Sequence, residues 1–145
     1  MNYLPDEITF AHISILKSEA GYVCAGIELS KRQTTEDGRP DYALYHVMSQ
    51  YYGGDEPRSI RQTIPVIAAD ILRCVYPETK LLIMRSNVPN FRQWRYYEGL
   101  INVFAASLGV TVKINHDMRV VRRFPNTVKL AADAERRGLS LDCAI

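Results

Sequence analysis

Apolar and polar positions along the chain fall into runs whose periods change from two to about three and a half, and those changes mark out its elements. The shortest and most apolar run is residues 79–84, TKLLIM, bounded by Pro77 and by Ser86-Asn87-Val88-Pro89. A run of that length, rich in Leu and Ile, suits a strand buried on both faces, since a helix needs about twice as many residues. The segment after it, NFRQWRYYEGLINVFAASLG, is long and amphipathic. Asn90 is an N-cap type and Gly109 a left-handed stop, which predicts one helix between them. Phe91, Trp94, Ile101, Phe104 and Leu108 recur at three- and four-residue steps and predict its sheet-facing side, with Arg92, Arg95, Tyr96 and Asn102 pointing elsewhere.

Before this centre, residues 7–16 (EITFAHISIL) and 22–29 (YVCAGIEL) read as a hairpin closed by a turn at 17–21. A polar loop over 30–41 carries the Asp37-Gly38 turn signal, and residues 42–51 (YALYHVMSQY) predict a third strand. Three consecutive antiparallel strands result. Residues 59–75 have a helical pattern, but Pro65 is compatible with a helix only near its start, so a boundary at Gln62 or Thr63 is expected, with Ile64, Ile67, Ile71, Leu72 and Val75 inward. After the central strand and helix, residues 110–115 (VTVKIN) alternate as a strand, and residues 127–137 predict a last helix closed by Gly138, with Val128, Ala131, Ala132 and Ala134 too small to bury much area.

Composition narrows the class. With 145 residues, 47% apolar and 23% charged, the chain is expected to form one globular domain over 1–145 without help from disulfides or metals. Cys24, Cys74 and Cys143 are far apart and form no Cys-x-x-Cys or Cys/His cluster, which points to reduced cysteines and a cytoplasmic setting. No apolar run approaches eighteen residues, so no membrane span is expected. Charge is uneven: residues 1–57 hold four Lys/Arg and nine Asp/Glu, a balance of −5, and residues 58–145 hold fourteen and seven, +7, which sum to the net +2. Eleven of the basic residues in the second half are Arg, whose planar fork suits phosphates and carboxylates. Pairing between the halves and an anion-binding face explain this asymmetry equally well.

The order strand, strand, strand, helix, strand, helix, strand, helix resembles the ribonuclease H-like fold, and the resemblance covers almost the whole chain. Ile83-Met84-Arg85-Ser86-Asn87 stands where such enzymes leave the central strand, Asn115-His116 where a histidine-bearing loop follows the fifth, and Asn126 with Ala132-Asp133 where the last helix carries an aspartate. The resemblance implies an α/β (mixed α+β) domain with a five-stranded mixed sheet. It also implies hydrolysis of phosphodiesters by two divalent ions held by carboxylates. Here the sequence departs from the family. Leu16-Lys17-Ser18 ends the first strand, Arg85-Ser86-Asn87 ends the central one, and Arg61-Gln62-Thr63 opens the first helix, all without the acids the family places there. Cations repel a metal ion, so no metal, cofactor or catalytic residue is expected.

The expected binding residues are basic and aromatic: Lys17, Arg85, Arg92, Arg95, Tyr96, His116, Arg119, Arg122 and Arg123. Arginines on a connection have no amphipathic reason to be there, and with Lys17 and Arg85 at neighbouring strand ends they would form one anion pocket. Trp94 is expected in the core, with arginine stems lying over it. His12 and His46, inside strands, are expected as core or sheet-face residues. The leading expectation is a noncatalytic module that binds nucleic acid or another phosphorylated ligand. A second reading is an oligomeric or protein-interaction protein using its nine tyrosines, among them Tyr51-Tyr52 and Tyr96-Tyr97. A third is a metal-dependent nuclease with carboxylates relocated to Glu19, Glu28, Asp117, Asp133 or Glu135.

Overall fold

A computed structural model of the chain describes residues 3–17, 23–52, 60–86, 94–116 and 126–143. The elements are β1 (Ile8–Lys17), β2 (Val23–Thr34), β3 (Pro40–Tyr52), α1 (Ile60–Cys74), β4 (Leu81–Ser86), α2 (Glu98–Ala106), β5 (Thr111–His116) and α3 (Asn126–Cys143). They build one five-stranded sheet in the order β3-β2-β1-β4-β5. β1 pairs antiparallel with β2, and β2 with β3; β1 pairs parallel with β4, and β4 with β5. Three antiparallel strands continued by two parallel ones, with helices following β3, β4 and β5, are the ribonuclease H-like arrangement, with the central run 79–84 beside β1 as its alternation-free sequence requires.

The two faces of the sheet are chemically different. On one face Ile13, Val23, Ala25, Ile27, Leu29, Leu82, Met84, Val112 and Ile114 pack with Ile64, Ile67 and Ile71 of α1 and with Trp94, Ile101 and Ala105 at α2, and this is the main core. The other face carries Ser14, Gly26 and Ser49 in one lateral line, set by the pairings Ser14↔Gly26 and Gly26↔Ser49. α3 lies on that line. A β-carbon at Gly26 would come 2.0 Å from the Thr127 carbonyl oxygen and 2.5 Å from the Ala131 nitrogen. The helix therefore rests its backbone on β2, which requires a glycine below and the buried Ala131 and Ala134 above. The Ser14 and Thr127 hydroxyls share a hydrogen bond of 2.8 Å, and the Ser49 hydroxyl donates to the Leu130 carbonyl at 2.6 Å.

Several boundaries differ from those expected. β2 runs to Thr34, so most of the polar loop is strand and only a tight turn with Gly38 at φ +80° remains. α1 starts at Ile60 and not at Gln62 or Thr63, with Pro65 inside it. The proline sits in the second turn, where it removes one backbone bond, and burial of Ile64, Ile67 and Ile71 offsets that loss. The expected long helix is shorter: residues 94–97 form a 3-10 turn and α2 begins at Glu98, while Asn90, Phe91 and Arg92 lie outside the described residues. Gly109 does adopt a positive φ, +72°. Its buried side is Trp94, Ile101 and Ala105; Phe104 and Leu108, expected inward, are exposed. α3 continues through Gly138 to Cys143, because a lone glycine weakens a helix by only about 1 kcal/mol and need not end it. No helix among the described residues is long and apolar enough to cross a membrane.

Candidate nucleic-acid interface

The candidate site grows from one row of residues across the α3 face. Strand pairing aligns Glu28 of β2 with His12 of β1, His12 with Arg85 of β4, and Arg85 with Asn115 of β5. Because side chains alternate along strands and directly paired residues share a face, these four project on the side that α3 occupies. His12 and Glu28 are buried and Arg85 is half-buried. A polar row on an otherwise apolar sheet is costly to bury unless its members are engaged.

Glu28, His12 and Arg85 each make contacts, and Asn115 is exposed. The Asn126 side chain, at the first residue of α3, hydrogen-bonds the Glu28 carboxylate. Burial pushes the Glu28 carboxyl above its ordinary range, and that hydrogen bond pulls it partly back. The His12 ring lies nearly parallel to Phe10, centroids 6.4 Å apart, and Tyr42 meets both rings edge-on at 5.0 and 6.0 Å. The Arg85 guanidinium stands 5.8 Å from the centroid of the Phe10 ring. That distance is within the range of a cation–π contact, so an aromatic wall helps to orient the guanidinium.

The fold brings some of the expected residues together and separates others. Lys17, Ser86 and His116 end β1, β4 and β5, three neighbouring parallel strands. Ser86 and His116 are paired, directly after Arg85 and Asn115. Lys17 is five residues beyond His12, which is level with Arg85. At about 3.3 Å per residue that stagger is roughly 16 Å along the strand direction. Arg95 and Tyr96 sit on the 3-10 turn after β4, both exposed, while their neighbour Trp94 is fully buried as expected. Arg92, Arg119, Arg122 and Arg123 lie outside the described residues. His46 is exposed on β3.

From the sequence His12 reads only as a core or sheet-face residue, and Glu28 only as a candidate relocated metal ligand. The signal was the hairpin register: closing it with Lys17↔Val23 puts His12 opposite Glu28, and a slip of one residue would put them on opposite faces.

The divalent ions that this fold's nucleases use do not fit this donor set. Glu28 is the one carboxylate in the row, and it is buried, held by Asn126 and two strands from a guanidinium. Asp133 on α3 is ion-paired with Arg136. Among the described residues no three His, Cys, Asp or Glu side chains are grouped as metal ligands. Several of the described tyrosines are engaged within the chain, and the Tyr45 and Tyr76 rings meet edge-on at 5.5 Å. Tyr52 donates to Asp70 at 2.9 Å, Tyr45 is bonded to Thr9 at 3.0 Å, and Tyr96 alone of those named stands well out in solvent.

No protein-family model matches the chain, and no curated protein matches it. Solved structures similar to it include Thermus thermophilus RuvC in complex with a Holliday junction substrate, 15% identical over 79% of this chain and 69% of that one, TM-score 0.43. The PFV RNase H domain is 9% identical over 88% of this chain and 92% of that one, TM-score 0.42. The foamy viral protease-reverse transcriptase in complex with RNA/DNA hybrid is 12% identical, covers 92% of this chain and 21% of that one, and has a TM-score of 0.43.

Proposed function

We propose that this chain is a noncatalytic ribonuclease H-like module that binds nucleic acid, or a ligand offering the same phosphate chemistry, at the edge where β4 and β5 end. The observation that carries the reading is Arg85 in register with His12. A metal-dependent nuclease of this fold needs carboxylates at these strand ends, and a guanidinium held against Phe10 there attracts phosphate and repels the cations. Arg95 and Tyr96, exposed just beyond the end of β4, add a charge and a ring on which a base can stack. Arg119, Arg122 and Arg123 follow β5 in sequence and supply further positive charge. A reducing, cytoplasmic setting fits the free Cys24 and Cys74.

Fluorescence anisotropy with labelled single- and double-stranded DNA and RNA, at low and high salt and with either EDTA or Mg2+, tests the proposal. Binding that weakens with salt, needs no metal and leaves the probe intact on a gel is expected. Metal-dependent cutting would overturn it in favour of a nuclease with relocated carboxylates.

A further inference from the structure

The sheet face under α3 is wider than the helix. α3 packs on β1, β2 and β3, and its first residue, Asn126, is bonded to Glu28. Two further rows of the same face lie beyond that end. Strand pairing fixes the first as Leu44, Ser30, Phe10, Ile83 and Lys113, one from each strand, and the second holds Tyr42 opposite Arg32. Arg32 and Lys113 are exposed, Leu44 is 53% exposed, and Tyr42, Ile83 and Arg85 are half-buried. Glu28 is the one carboxylate among the described residues of these rows and of the row of Arg85, and it is buried. No ion pair engages Arg32 or Lys113 among the described residues. Leu130, further along α3, meets Ser49 on the side away from these rows, so the positive end of the helix dipole is turned toward them.

We infer that this open half of the sheet is a track for a single strand of nucleic acid, which crosses it from Arg85 and Lys113 to Tyr42 and Arg32. The inference rests on the nucleic-acid reading above and names the form of the ligand and its path. Charge selects a polyanion: Arg32, Arg85 and Lys113 share a face that shows no exposed acid. Lys113 and Arg32 stand three strand spacings apart, about 14 Å, so a compact anion cannot touch both and a chain with repeated charge can. The surface between the cations selects the form of that chain. Ile83 and the Tyr42 ring, set edge-on to Phe10 at 5.0 Å, separate Lys113 from Arg32. A single strand lays its base faces on such a surface while its phosphates meet the cations. A duplex keeps its base faces stacked inside and offers only sugar and phosphate, and an acidic peptide matches the charge but not the rings.

Fluorescence anisotropy with a labelled oligothymidine and a duplex of the same length tests it. Arg32→Glu and Lys113→Glu should each weaken the single-strand complex and lower its slope of log K against log salt by about one, with little effect on the duplex and unchanged circular dichroism. Lys31→Glu makes the same change of charge on the neighbouring residue of β2, whose side chain lies over the Tyr76 ring on the other side of the sheet, and should leave the slope as it is. If oligothymidine binds and Arg85→Ala weakens it while Arg32→Glu and Lys113→Glu do not, the track is overturned and the binding edge stands. If neither probe binds, the nucleic-acid reading fails and the track with it. Equal losses in Lys31→Glu, equal losses on the duplex, or displacement of the probe by polyglutamate as readily as by unlabelled oligothymidine would also overturn the inference.

Discussion

The side-chain amide of Asn102 in α2 pairs with the backbone of Val112 in β5 at both ends: it accepts from the Val112 N–H at 2.7 Å and donates to the Val112 C=O at 3.0 Å. β5 is an edge strand, and at Val112 the amide stands in for the peptide of a missing neighbour. The same nitrogen also donates to the Glu98 carbonyl at 2.9 Å, which ties the first turn of the helix to the sheet. Asn102→Leu should lower stability by about 1–3 kcal/mol, since it leaves the N–H and C=O of Val112 without these bonds. Asn102→Asp, which turns a carboxylate oxygen toward two carbonyls, should do no better. Urea denaturation at neutral pH measures both.

Contact between α3 and β2 is closer than any side chain would permit. Gly26→Ala places a methyl 2.0 Å from the Thr127 carbonyl oxygen, and the obstacle is backbone that cannot rotate away. A loss of about 3 kcal/mol is expected. Denaturant midpoints report the loss, and an unchanged midpoint would contradict the close seating of α3.

Glu28 gives stability a pH dependence of definite sign. Its folded-state pKa is raised above the ordinary 4.5 by burial, so the native state holds the proton more tightly than the unfolded state does. The burial penalty is therefore absent below 4.5 and grows as pH rises through the raised value. Glu28→Gln, which keeps a partner for Asn126, should be more stable than the wild type at pH 7 and no different from it below 4.5. Thermal melts of both proteins across that range check the crossover.

Arg85→Ala should weaken binding of single-stranded probes and lower the slope of log K against log salt by about one. Tyr96→Ala should cost about 1–3 kcal/mol of binding with little change in that slope, and Tyr96→Phe should restore it. A common loss of slope in both variants would mean that Tyr96 acts through its neighbours' charge and not by stacking.

Element order, sheet composition and the burial of Trp94 were legible along the chain because they depend on local period, apolar content and punctuation by Gly and Pro. Pattern alone also marked Gly109 as a stop and Asp37-Gly38 as a turn. It misjudged Phe104 and Leu108, because periodicity says that a helix has an apolar side but an all-apolar helix has no polar side to orient it. It misjudged Gly138 and Pro65 because packing can outweigh about a kilocalorie of propensity or one lost bond. The sequence by itself determined the order of strands and helices and that Lys17 and Arg85 stand near the ends of two of the strands. Only the tertiary structure decided what stands level with Arg85. Register carries that information: it set Arg85 beside His12, with Glu28 on His12's other side, and left Lys17 five residues further along β1, and a stagger between two strands that are distant in sequence leaves no mark on either strand's own pattern.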